Sequence, residues 1–249
     1  SATSSTASSI GTTSDAWRGA SRRAVGAGAD GDPVTALRVE QLSLGPMGTN
    51  CYVVRASSDA PEAVVVDPSG DVPELRLHLA KLGARCAAIL VTHGHWDHLV
   101  GVAELAEGAN APVYMAEGER DLLENPERFT PPTISLRPYS PDVLLAGGES
   151  IDVAGIEFDV LSVPGHSPAH LAYKADGCVF SGDVLFAGSV GRTDLPGADW
   201  DTLLTSIRSL VEAFGPETIV YPGHGPATTL GEELASNPFL AELRAERAG

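Results

Sequence analysis

The chain has 249 residues, 43% of them hydrophobic, with three cysteines and a formal net charge of −17. That length and apolar share suffice for a full hydrophobic core, and three thiols set singly in apolar runs argue against a disulfide framework. Nucleic-acid binding relies on a basic footprint, which so acidic a chain does not offer; no run of eighteen apolar residues offers a membrane span.

The residues divide at about position 35. Residues 1–35 are rich in Ser, Thr, Ala and Gly with few large side chains, so they cannot offset the entropy of packing and are expected to form a disordered tail. Residues 36–249 are expected to form one folded domain. The Ser-rich, Arg-containing start is loosely transit-peptide-like, but a plain tail is the reading adopted. Reduced, buried cysteines then point to the cytoplasm, or to an organelle if the tail is a transit peptide.

From residue 37 the punctuation becomes regular. Residues 37–44, 51–54 and 63–66 read as strands of a meander joined by Gly-Pro, Ser-Asp and Pro-Ser-Gly turns. Residues 74–82 read as a helix with His78 on its surface. An apolar run at 88–91 leads into Thr92-His93-Gly94-His95-Trp96-Asp97-His98, followed by a helix over 98–106 whose N-terminal end faces the same place. Residues 125–141, dense in proline, read as a long loop of a length that suits a lid as well as a plain connection. Three further apolar runs, 158–163, 178–180 and 219–221, each precede a histidine or acid: His166, Asp183 and His224. Between the last two, Asp199 caps a helix in which Trp200, Leu203, Leu204, Ile207, Leu210, Val211 and Phe214 recur at three- and four-residue spacing, ended by Gly215-Pro216. That stripe is expected to pack into the core.

Five of the seven histidines thus follow buried strands, together with Asp97 and Asp183. Open α/β sheets place their sites where strands run out into loops, so four strand ends bring these side chains to one edge. Imidazole and carboxylate are the N and O donors of zinc and its borderline neighbours, and an apolar core has no use for such a set. His93 and His95, two apart in extended chain, can converge on one ion while Asp97 and His98 reach a second, and Asp183 can bridge both. Two divalent ions are therefore expected, zinc first, with iron or manganese accepted by the same donors. Hydroxide generated between such ions attacks a carbonyl carbon, and Asp97 would orient it and carry its proton. His170, four residues beyond His166, is read as a structural neighbour of the site.

The HxHxDH segment, followed in order by His166, Asp183 and His224, resembles the metallo-β-lactamase fold superfamily over roughly residues 37–240. The resemblance implies an α/β fold, an αββα sandwich of two mixed β-sheets flanked by helices. It carries His93, His95 and His166 to one metal, Asp97, His98 and His224 to the other, and Asp183 to both. Ser181-Gly182-Asp183 through Gly191-Arg192-Thr193-Asp194, and Tyr221-Pro222-Gly223-His224-Gly225-Pro226 through Asn237-Pro238-Phe239-Leu240, resemble the short glyoxalase II-like hydrolases. This implies hydrolysis of a small-molecule thioester, hydroxyacyl-thiol to hydroxy acid and thiol, with Arg192 and Thr193 as substrate-binding residues or, equally, Arg192 and Asp194 as a structural pair that supports the loop.

Class B β-lactamases of the common kinds carry Cys where this chain has Asp183, so antibiotic hydrolysis is not expected. Full-length glyoxalase II enzymes hold glutathione with a long C-terminal helical domain, whereas 25 residues follow His224, which leaves the thiol carrier open. The rival reading is a mononuclear iron persulfide dioxygenase, which shares the Gly-Arg-Thr-Asp segment. A lactonase, a nuclease and a non-enzymatic metal-binding module rank below it.

Overall fold

The computed structural model describes residues 37–248, with side chains through residue 247. The tail expected over 1–35 lies outside them.

In chain order the elements are β1 (Arg38–Leu44), β2 (Thr49–Arg55), β3 (Glu62–Val66), α1 (Val72–Lys81), β4 (Arg85–Leu90), α2 (Trp96–Leu99), α3 (Val102–Ala109), β5 (Val113–Ala116), α4 (Arg120–Glu124), β6 (Val143–Leu145) and β7 (Ser150–Val153). There follow β8 (Ile156–Ser162), β9 (Leu171–Ala175), β10 (Cys178–Gly182), β11 (Leu185–Phe186), β12 (Ser189–Val190), α5 (Trp200–Ala213), β13 (Ile219–Pro222), β14 (Thr228–Thr229), α6 (Leu230–Ser236) and α7 (Ala241–Ala248). One sheet runs β1-β2-β3-β4-β5-β6, antiparallel from β1 to β3 and parallel from β3 to β6. The other runs β14-β13-β10-β9-β8-β7, antiparallel except for the parallel pair β10 and β13.

Strand alternation sorts the apolar side chains into three layers. On β2, Cys51 and Val53 face α1 and α3, where they meet Leu75, Leu79, Val102 and Leu105. Their neighbours Tyr52 and Val54 face the other way, into an interior shared with Phe158, Val160, Tyr173 and Phe180 of the second sheet. Beyond that sheet, Val179 and Val220 pack on Leu203, Ile207 and Leu210 of α5. A strand buried on both faces shows no polar alternation, which is why these segments read as continuous apolar runs. The result is the αββα sandwich, with helices outside two facing mixed sheets.

Several expectations are corrected in detail. The helix expected over 98–106 is two, because the Gly101 N–H leaves the helical ladder and donates to the Pro68 carbonyl at 2.8 Å. A Cβ at Gly101 would stand 2.5 Å from that oxygen, so only glycine permits the approach. Trp200 is not core: at the start of α5 it stays 37% exposed and packs on Phe239. Its cap is as expected, with Asp199 accepting from the Thr202 N–H at 2.8 Å. His78 is half-buried and pairs with Glu40 at 2.6 Å. The segment after Asn125 lies along the helical side of the first sheet: Leu136 and Tyr139 pack on that core, and the Tyr139 N–H donates to the Leu123 carbonyl.

The three cysteines are free and buried. Burial pushes the Cys86 and Cys178 thiols up to about 12 and Cys51 well above its usual range, so none offers a thiolate at neutral pH.

Candidate metal centre

Four strands end at one edge of the sandwich. β4 leads to His93, His95, Asp97 and His98; β8 to His166; β10 to Asp183; β13 to His224. All seven residues come together. Their ligating atoms form three groups, His93/His95/His166, His93/His98/Asp183 and Asp97/His98/His224, with all atoms of a group within 4.8 Å of one another. Asp183 Oδ2 stands 3.5 Å from both His166 Nε2 and His224 Nε2, so one oxygen faces the first group and the third. Its other oxygen, Oδ1, stands 3.4 Å from His98 Nε2.

The hydrogen bonds around the rings fix which nitrogens are bare. The Thr92 hydroxyl donates to Asp67 Oδ2 at 2.7 Å, so toward His93 Nδ1, 3.0 Å away, it accepts. The Arg192 carbonyl can only accept, so His166 Nδ1–H donates to it at 2.9 Å. Both Nε2 atoms therefore present lone pairs, and both face His95 Nδ1, at 3.0 and 2.8 Å. One His95 proton could satisfy only one of them. Extra protons are disfavoured: burial pushes His95 down to about 4, helped by His166 and His98, and burial pushes His93 well down too. Buried His98 Nε2 and Asp183 Oδ1 also have no hydrogen-bond partner. Converging bare nitrogens and an orphaned carboxylate oxygen are what a divalent ion satisfies, so the donor set fits.

The carboxylates are held as acceptors. Burial pushes Asp97 up, but hydrogen bonds from His224 and Thr49 and the charge of His98 hold it well below the usual carboxylate range. At Asp183 burial is likewise outweighed by His98, His224 and His166, leaving it at about 2. His224 is raised by its hydrogen bond to Asp97. At His98 burial works downward, but Asp183 and Asp67 outweigh it and raise it well above the usual value.

Several residues of the site escaped the sequence reading. Asp67, at the end of β3, is buried and accepts from the Thr92 N–H (2.8 Å), the Thr92 hydroxyl (2.7 Å) and His98 Nδ1 (2.8 Å). It shows the same signal as the candidate ligands, an acid directly after an apolar strand. The Thr49 hydroxyl donates to Asp97 Oδ2 at 2.8 Å. Asn50 and Tyr52 tie the His224 loop to the first sheet through the Pro222 carbonyl, at 2.9 and 2.6 Å. His170 lies beside the site as expected: its ring stacks on His93, and its Nε2 accepts the Asp183 backbone N–H at 3.1 Å.

The Arg192–Thr193 loop carries the structural Arg–Asp pair that was one of its two expected roles. The exposed Arg192 guanidinium makes two bonds to Asp194, at 2.6 and 2.7 Å, and Thr193 is half-buried beside it. The loop reaches the site through the Arg192 carbonyl on His166.

Among the described residues no helix is long and apolar enough to cross a membrane. Hydroxyacylglutathione hydrolase GloC of Haemophilus influenzae is 32% identical over 82% of this chain and 98% of its own length. A crystal structure described as the BLEG-1 B3 metallo-β-lactamase is 40% identical, with a TM-score of 0.77, over 82% of this chain and all of that one. That of TTHA1623 in a di-iron-bound form is 39% identical, TM-score 0.64, over 81% of this chain and all of that one. Although this chain carries Asp183 where the common class B enzymes carry Cys, it is thus similar to a protein described as a β-lactamase. The family profile of the metallo-β-lactamase superfamily matches residues 44–224, and with the αββα sandwich and the histidine-aspartate cluster at its edge, this chain belongs to that superfamily of metal-dependent hydrolases.

Proposed function

We propose that the chain is a binuclear hydrolase of a small-molecule thioester, in which His93, His95 and His166 hold one divalent ion, Asp97, His98 and His224 hold the second, and Asp183 faces both. The observation that carries this reading is the shared position of Asp183 Oδ2, 3.5 Å from a histidine of each group. The GloC relative, matched over 98% of its length, supports the thioester as substrate. Zinc fits the donors, and the di-iron neighbour makes iron the first alternative, ahead of manganese.

Bound divalent ions supply Lewis acidity, which makes water nucleophilic near neutral pH and polarises a carbonyl oxygen. The chain supplies placement and proton handling. His93 and His98 are fully buried, whereas His95, Asp97 and His224 are partly open, so substrate enters on their side. The Thr49 hydroxyl occupies one lone pair of Asp97 Oδ2 and turns the carboxylate, which takes the attacking water's proton and passes it to the leaving thiolate, released as the thiol. Arg192 and Thr193 are the proposed substrate-binding residues, on the loop whose Arg192 carbonyl holds His166.

Elemental analysis of the purified protein beside hydrolysis of a lactoylated thiol tests the reading. Two metals per chain with released thiol are expected. A single iron, no hydrolysis and oxygen uptake with a persulfide would instead make the chain the mononuclear dioxygenase. Turnover of a chromogenic cephalosporin in place of the thioester would move the substrate to β-lactams.

Acid is expected to empty the two groups in order. His98 and His224 are raised, so protons compete for their nitrogens at higher pH than for His95, which stays bare to about 4. Dialysis stepped from about pH 7 to about pH 5 should take the metal content from two to one per chain before it reaches none. Parallel loss of both ions would contradict this order.

A further inference from the structure

We propose that Glu119 is the positioning residue of the first metal group: it holds the His93–His95 loop and the His166 loop at the spacing that makes their three imidazoles converge. The inference rests on the reading of those histidines as ligands of one ion.

Glu119 follows β5 and is 2% exposed. Its Oε2 accepts the Gly94 N–H at 2.5 Å, from the residue between His93 and His95. Its Oε1 accepts the Ser167 hydroxyl at 2.6 Å and the Ala169 N–H at 2.9 Å, on the chain just after His166. The first loop leaves β4 in one sheet and the second joins β8 to β9 in the other, so one buried carboxylate ties both sheets together beside the histidines. The fit at Gly94 is close: a Cβ there would stand 2.2 Å from Leu122 Cδ1 of α4. The loop thus lies flush on α4, with its N–H turned to Glu119.

The other metal group is braced elsewhere. Thr49 holds Asp97, and Asn50 and Tyr52 hold the Pro222–Gly225 turn that carries His224. Loss of the Glu119 brace should therefore loosen one ion and spare the other. Glutamine has the volume of glutamate but only one acceptor oxygen. In E119Q its amide NH2 must face either the Gly94 N–H or the Ala169 N–H, donor against donor, and one loop is released.

The test compares wild type, E119Q and S167A with E233Q. Glu233 is a buried carboxylate with a similar load of donors, Thr228 Oγ1, Asn237 Nδ2 and the Gly188 N–H, none of them a residue of the metal groups. Zinc per chain is measured after dialysis against graded chelator, beside urea unfolding of the metal-free proteins. Wild type should hold two zinc ions. E119Q should keep one at wild-type affinity and release the other about tenfold to a hundredfold more easily. S167A, which removes one tie and leaves no donor facing a donor, should shift the same ion by less. E233Q should lose comparable stability and keep both ions.

Wild-type affinity at both sites in E119Q, or loss of both ions in step with its stability, would overturn the role of Glu119. Wild type holding a single zinc would instead overturn the two-metal reading and the inference with it, so the two failures are distinguishable.

Discussion

Asp97→Asn is expected to cut kcat by about a thousandfold, within the range that a positioned proton acceptor contributes, while the protein stays folded. Among the partly exposed members of the cluster, Asp97 is the one carboxylate, and it is held well below the usual carboxylate range by the His224 and Thr49 bonds and the charge of His98, which outweigh its burial. Asparagine preserves an oxygen for Thr49 and the shape of the side chain, but cannot take a proton from water. The measurement is kcat for thioester hydrolysis at verified metal content. Near-normal kcat with two metals bound would remove Asp97 from proton transfer, and a fall explained entirely by metal loss would leave it a ligand only.

Asp67→Ala is expected to cost about 3–5 kcal/mol of stability, the range for removing one partner of a buried charged pair. Three donors lose their acceptor at once: the Thr92 N–H, the Thr92 hydroxyl and His98 Nδ1. The backbone adds to the loss, since Asp67 sits at φ +49°, a left-handed conformation that aspartate tolerates better than alanine. Urea unfolding of the metal-free protein measures the effect, and a change below about 1 kcal/mol would mean that water replaces the carboxylate. Because Asp67 orients His98 directly and His93 through Thr92, its loss should also weaken both metal ions, in contrast to E119Q, which spares one.

The chemistry of the site was legible before any fold was known, because metal ligands must be particular side chains and must emerge where buried strands end. The apolar runs before His93, His166, Asp183 and His224 therefore carried the candidate ligands, the shared edge and, by resemblance, the sandwich. Helix α5 was equally plain, since its cap and its stripe are local.

What supports the ligands was not legible, because hydrogen-bond partners are set by distance in space. Thr49 meets Asp97 across 48 positions, Asn50 meets Pro222 across 172, and Glu119 meets Ala169 across 50; no periodicity records such pairs. Tertiary packing also overrode local signals, where Pro68 drew the Gly101 N–H out of its helix and where Trp200 fell on the rim of the stripe rather than in its centre. The sequence by itself determined which atoms can hold metal and on which strands they ride. Only the tertiary structure decided their bare nitrogens, the 3.5 Å approach of Asp183 Oδ2 to both His166 and His224, and the hydrogen bonds at Asp67 and Glu119, because a tautomer or a shared carboxylate exists only once chain segments far apart in sequence stand within hydrogen-bonding distance.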